Sequence, residues 1–139
     1  MNTKSINEIE KEIVSEFEMF DSWMDKYEYI IELGKSLPLI EEKYKTEDHK
    51  VSGCQSQVWL KANKEGDRIL YKADSDAIIT KGLIGLLIRV LSNQKPEDII
   101  NAKLEFIDKI GMKEHLSPNR SNGFQAMINH MKSFARTYI

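Results

Sequence analysis

The residue with the most chemical potential in this 139-residue chain is Cys54, its only cysteine, set in the run VSGCQSQVW from Val51 to Trp59. A single thiol makes no internal disulfide and falls short of a cysteine-rich metal or cluster site, so any chemistry at Cys54 is done alone or with a sulfur from another molecule. Gly53 permits a tight or left-handed turn beside it. The polar Ser52, Gln55 and Ser56 suggest a loop near the surface, where a second molecule can reach the sulfur. Against this stands the plainer alternative that a lone cysteine is a small buried apolar residue.

Other chemistry-bearing residues are few. His49, His115 and His130 are far apart and lack metal-ligand spacing. Spacing alone leaves open a cysteine hydrolase built from Cys54 and one histidine. That reading is weakened because the sequence places Cys54 before a strand and not at a helix N-terminus, where a thiolate is favoured. Arg120 falls in the first turn of a helix opened by Pro118, where the helix dipole disfavours a cation. Brought near Cys54, it could hold an anionic sulfur.

The elements that must position these residues follow from periodicity. Ile6, Ile9, Ile13, Phe17 and Phe20 predict an amphipathic helix from Ile6 to Phe20. Ser22 caps a second helix with Trp23, Tyr27, Ile30, Ile31 and Gly34 on one face, and Pro38 ends the run. Glu41 to Lys50 is polar and aperiodic, a loop with a short edge strand leading into Val51. Val58 and Leu60 then alternate with polar neighbours. After the turn NKEGD a second alternating run, Arg68 to Lys72, completes a hairpin with Cys54 at the mouth of its first strand. Asp74 and Ser75 offer a cap for the apolar helix Ala77 to Leu91, where Gly82 and Gly85 let another backbone come close. Pro96, Glu97 and Asp98 mark a helix start and Gly111 its end. Ser117 and Pro118 open a last helix with Phe124, Met127, Ile128, Met131, Phe134 and Tyr138 on its core face.

Composition narrows the function classes. With 41% hydrophobic and 30% charged residues the chain is globular, and its length predicts one domain over residues 1–139. The net charge of -2 comes from interspersed charges without a basic stripe, which argues against a nucleic-acid partner. The apolar window Ala77 to Leu91 is too short for a membrane span and contains Lys81 and Arg89. The N-terminal run, with Glu8, Glu10, Glu12 and Glu16, resembles neither a signal nor a transit peptide, which predicts a cytoplasmic protein. The apolar faces look used within one domain, which predicts a monomer or weak homodimer.

SGCQSQVW, DSDA at Asp74 to Ala77 with KGL at Lys81 to Leu83, HLSPNRSNG at His115 to Gly123 and YIIELGKSLP in the second helix occur in one order. Together they resemble the SufE family of iron-sulfur assembly sulfur acceptors, from about Trp23 onward. Ala73 departs from the glycine expected before DSDA.

The resemblance implies an α+β fold, a small antiparallel sheet of about three strands packed by helices, shared with the IscU-like scaffolds of a related assembly system. It implies that Cys54 accepts sulfur as a persulfide from a SufS-like cysteine desulfurase, whose PLP stays on the partner, and that the chain needs no cofactor or metal of its own. The sulfur then passes to a SufBCD-like scaffold. The protein is on this view an accessory that enhances the desulfurase rather than an enzyme. Gly53, Gln55, Asp74 and Asp76 are expected to meet the partner, with a helix cap as the alternative role for the two aspartates. Arg120 is expected to steady the anionic sulfur. If Cys54 carries a persulfide, Val51, Val58 and Leu60 are candidates to shield it, and Gly53 is expected to act as a hinge between a sheltered and an exposed position.

Overall fold

The computed structural model describes residues 4–139. Seven helices and one hairpin make up the described chain: α1 (Ile6–Phe17), α2 (Trp23–Gly34), β1 (Val58–Glu65), β2 (Arg68–Ser75), α3 (Ile78–Leu91), α4 (Pro96–Asn101), α5 (Phe106–Lys109), α6 (Met112–His115) and α7 (Pro118–Arg136). The arrangement is α+β, a two-stranded antiparallel sheet packed by helices.

Helix α1 starts in a capping box, with the Ser5 hydroxyl accepting from the Glu8 backbone N–H while Glu8 reaches back to the Ser5 N–H. It buries Ile6, Ile13 and Phe17. It stops at Phe17, short of the predicted Phe20, because the chain turns there and the Phe20 ring packs on Tyr29 at 5.0 Å between centroids. Helix α2 begins, as the sequence predicts, with the Ser22 hydroxyl accepting from the Asp25 N–H. It ends at Gly34, and Pro38 lies in the extended stretch beyond.

The central helix α3 packs chiefly against α2, and there the two backbones touch. A Cβ on Gly82 would stand 2.2 Å from the Ile30 carbonyl oxygen, and one on Gly34 would stand 2.9 Å from the Gly82 nitrogen. No side chain fits between, so glycine is what brings the helices together. The α3 residues Leu83, Ile84, Leu86, Leu87, Val90 and Leu91 are essentially inaccessible and form the middle of the core.

In the hairpin, Val58 lies opposite Ser75 and Glu65 opposite Arg68, with Gly66 in the left-handed region (φ 63°) at the turn. Val58, Leu60, Ile69, Tyr71 and Ala73 point inward and are buried. Ala73 is an ordinary strand residue opposite Leu60, so the glycine expected there is not needed. The sheet has two strands rather than about three. The polar segment before Val51 folds into two 3-10 turns, Glu42–Tyr44 and Glu47–His49. Only a single bridge of Lys50 to Trp59 remains of the predicted edge strand. The other edge is covered by isolated bridges of Leu39 to Ala73 and Gln94 to Ile69. The Tyr71 hydroxyl donates to the Met131 carbonyl at 2.7 Å, fastening the sheet to α7.

Three predicted features are corrected beyond the hairpin. The N-cap of α3 is Ala77, without a side-chain cap. Ser75 accepts the Ala77 N–H one residue too early, and Asp74 is engaged elsewhere. The helix predicted between Pro96 and Gly111 is two pieces, broken where Leu104 takes φ 55°, and Gly111 (φ 78°) precedes α6 rather than closing a single helix. In α7 the residues Phe124, Met127, Ile128 and Met131 are buried as predicted, whereas Phe134 is half-buried and Tyr138 lies past the helix end, 39% exposed. Among the described residues no helix is long and apolar enough to cross a membrane.

Candidate functional site around Cys54

Cys54 sits on a short loop whose ends are tied by the Val51 N–H donating to the Val58 carbonyl at 2.8 Å. Gly53 has φ +94°, the left-handed region, and a Cβ there would meet the Ala126 Cβ at 3.2 Å. A side chain at position 53 is thus opposed both by its own backbone and by α7. Gly53 aims Cys54 at the first half of α7. The half-buried thiol lies 3.5 Å from the Gly123 carbonyl oxygen, to which it can donate weakly. Gly123 presents no side chain, and a Cβ there would stand 3.4 Å from Sγ.

Beside the thiol is a cavity of about 130 Å³. Its apolar wall is made by Ile79, Leu83 and Met127, and its polar side includes Thr80, Asn119 and Arg120. Val51, Val58 and Leu60, predicted to shield the sulfur, are instead packed in the core with at most 3% exposure. They are strand and strand-edge residues facing inward, and the shield comes from helices remote in sequence. Cys54 lies before a strand and not at a helix N-terminus, as predicted, and its thiol faces a carbonyl inside α7. Its cavity is bordered by the first turns of both α3 and α7, through Ile79 and Thr80 on one side and Asn119 and Arg120 on the other. The end of α3 carries no side-chain cap. Helix N-termini favour negative charge.

Burial pushes the Cys54 thiol up from its ordinary pKa, so the seated sulfur is held as a thiol near neutral pH. Arg120 shares the cavity but is exposed, with its guanidinium carbon 5.8 Å from the centre of the Tyr27 ring. Its backbone N–H donates to the Ser117 hydroxyl at 3.3 Å. Arg120 thus stands at the rim on Tyr27.

The remaining predicted residues divide. Gln55 is exposed and lines the cavity mouth. The Asp76 carboxylate accepts the Gln57 N–H at 3.0 Å and so braces the cysteine loop against the turn into α3. Asp74 is largely covered and paired with Lys45 at 2.6 Å and Lys81 at 3.4 Å. Lys45, in turn, bonds Glu42 at 2.7 Å and lies 5.6 Å from the centre of the Trp59 ring. Asp74 is therefore an internal tie between the 3-10 segment, the hairpin and α3. Of the histidines, His115 stacks on Trp23 at 4.5 Å, His49 lies by Tyr44 and His130 by Phe134. None lines the Cys54 cavity. Among the described residues no cluster of three or more His, Cys, Asp or Glu side chains is placed to hold a metal ion.

Sequence reasoning missed the cavity walls and Gly123. An isolated glycine inside a helical pattern, as at Gly123, is the available signal. A larger cleft of about 910 Å³ lies between α1, α4 and α5, lined by Glu10, Lys11, Asp98, Lys103 and Lys109 among others. It holds no thiol, and its acidic and basic side chains alternate. The smaller cavity is the one that Cys54 lines.

The site thus defines an α+β protein whose one cysteine lies half-buried beside a small cavity between two helices. Residues 11–135 match the SufE family, described as an Fe-S metabolism associated domain, and the chain belongs to that family. It is 40% identical over 129 residues to an uncharacterised SufE-like protein of Rhizobium meliloti, spanning 89% of this chain and 92% of that one. A SufE-like protein 1 of Arabidopsis thaliana, described as chloroplastic/mitochondrial, is 37% identical over 126 residues, covering 90% of this chain and 34% of the plant protein. The fold is also similar to the solution structure of a hypothetical protein from Thermus thermophilus, at TM-score 0.76 and 21% identity over 93% of this chain and 94% of that one.

Proposed function

We propose that this protein accepts sulfur on Cys54 from a PLP-dependent, SufS-like cysteine desulfurase, stimulates that enzyme, and delivers the sulfur to a SufBCD-like iron-sulfur scaffold. The observation that carries this reading is the pairing of the chain's one thiol with a cavity of about 130 Å³, large enough for a few atoms and too small for an organic substrate of ordinary size. A scaffold role is disfavoured because one thiol does not ligate a cluster. A hydrolase role is disfavoured because no histidine lines the cavity.

The transfer is an exchange at sulfur. The Cys54 thiol gives its proton to solvent or a partner base, and the thiolate attacks the outer sulfur of the desulfurase persulfide. The Cys54 S–S bond forms, the partner's S–S bond breaks, and the partner's cysteine leaves as thiolate, with no net change in oxidation. Attack needs a thiolate, and burial disfavours it in the seat. Docking therefore draws the loop outward about Gly53, raising both access and thiolate fraction, and the loaded sulfur returns to the cavity. Gln55 and the Asp76-braced turn lie at the surface the partner meets, and Arg120 steadies the anionic sulfur from the rim. The protein acts as a cytoplasmic monomer or weak homodimer and turns over no substrate alone.

Intact mass after incubation with desulfurase and cysteine tests the reading, which expects one added sulfur atom on wild type and none on Cys54→Ser. The serine variant should bind the desulfurase yet fail to accelerate sulfide release, since a hydroxyl forms no persulfide counterpart. Stimulation by the serine variant equal to wild type would overturn the proposal.

A further inference from the structure

We infer that Gly123 is a positioning residue that sizes the Cys54 seat for one additional sulfur atom. The inference rests on the sulfur-acceptor reading for its biological meaning. Glycine is intrinsically unfavourable inside a helix, and Gly123 lies within the 19-residue α7. Its place is explained by what it faces. A Cβ at position 123 would stand 3.4 Å from Sγ and 3.8 Å and 3.9 Å from Cα and Cβ of Cys54. These are ordinary contact distances, so the thiol form tolerates an alanine. A persulfide is a different case. Its outer sulfur is bonded about 2.05 Å from Sγ and needs a van der Waals envelope of its own. The space beside the thiol is the small, partly open cavity that Gly123 itself lines. A methyl group there takes up part of that space next to Sγ while Ile79, Leu83 and Met127 close the far wall. Gly123 thus discriminates between loaded and unloaded cysteine. Alanine should spare the thiol form and expel the outer sulfur toward solvent, where reductants reach it.

The test loads Cys54 without the desulfurase. Inorganic tetrasulfide supplies a sulfane sulfur to the thiolate, forming the Cys54 S–S bond and releasing trisulfide. Cyanide removes the outer sulfur as thiocyanate and returns Cys54 as thiolate. In wild type, cyanolysis of the folded persulfide should be at least tenfold slower than in urea. In Gly123→Ala the thiol form should melt no lower than wild type, while its folded persulfide should be cyanolysed fivefold or more faster. Asn122→Ala, an exposed neighbour on the same helix, should match wild type. Equal cyanolysis rates for wild type and Gly123→Ala would overturn the inference. So would a variant that melts lower by the same amount in thiol and persulfide forms, which marks simple packing. A Gly123→Ala protein that fails to fold would overturn it as well, since the thiol form is expected to accept the alanine, and a wild-type folded persulfide cyanolysed as fast as the unfolded one would show that there is no seat. A desulfurase that loads neither protein would reject the acceptor reading while leaving this result standing.

Discussion

Gly82 and Gly123 both lie inside helices and both face another segment, yet they do so at different pressures. At Gly82 the neighbour is backbone, with the Ile30 carbonyl where a Cβ would sit, 2.2 Å away. At Gly123 the nearest neighbour is the Cys54 sulfur at 3.4 Å, on a loop rather than in a helix. The first contact is a seam that fixes how α2 crosses α3 and has no slack. The second leaves room beside it and ends on a group that, on the proposed function, changes size. At the helix seam glycine removes every gap; beside the thiol it preserves one.

The sharpest way to break this contrast is Gly82→Ala. Overpacking against backbone should cost about 1–3 kcal/mol or more and lower the Tm on the order of 10 °C. Gly123→Ala should hold or gain up to about 1 kcal/mol from helix propensity. Thermal unfolding of the two in parallel checks both, and a Gly82→Ala protein as stable as wild type would dissolve the distinction.

A second fastening shows whether seam and seat are independent. Arg89 on α3 holds Glu16 of α1 bidentately at 2.7 and 2.5 Å, with the Tyr29 hydroxyl also donating to Glu16. Glu16→Gln should cost about 1–2 kcal/mol for a part-buried charged pair and leave the alkylation rate of Cys54 unchanged. The Arg89 hydrogen bonds keep the Glu16 carboxyl below its ordinary pKa. The stabilisation is therefore complete above the unfolded-state pKa and lost as pH falls through the lowered native value. The Tm gap between wild type and variant should close in acid.

At the seat the sign is reversed. Burial raises the Cys54 pKa, so the folded protein binds the thiol proton more tightly than the unfolded chain. Stability from this source is present below the unfolded thiol pKa and is lost as pH rises toward the native one. Alkylation by iodoacetamide at neutral pH should run several-fold slower folded than in urea, with a rate profile that climbs to higher pH before levelling. A native profile at lower pH than the unfolded one would mean that the helix ends, or Arg120, outweigh burial.

The smallest effect belongs to Asp76→Ala. Its carboxylate braces the loop through a single N–H of Gln57 at an exposed site, worth about 1 kcal/mol or less. Desulfurase affinity falling well beyond that loss would make Asp76 a docking residue. Stability lost with affinity intact would leave it a brace.

Much of this was legible in the chain. The periodic runs of α2, α3 and α7, the Ser22 and Ser117 caps and the hairpin follow from local patterns, and Gly82 announced a close approach. Gly53 beside Cys54 permitted a tight or left-handed turn, and the loop adopts the left-handed one. What stayed hidden is long-range. The cavity joins residues around 54, 80 and 120, and no short-range pattern says that Ile79, Leu83 and Met127 rather than Val51, Val58 and Leu60 face the thiol. Asp74 next to Ser75 looks like a cap until Lys45 and Lys81 arrive from other elements. A third strand looks plausible before Val51 until the polar run curls into 3-10 turns.

The thiol and the helix that seats it are also far apart in the order of synthesis. Cys54 is made well before Pro118–Arg136, and at elongation rates of about 5–20 residues per second several seconds separate the two. During that interval the nascent chain has its loop but not α7, and neither the Gly123 carbonyl nor Met127 exists to cover the sulfur. The cysteine is therefore born naked and is covered only when the last long helix docks. A fragment ending before Pro118 should alkylate at Cys54 as fast as the full chain does in urea.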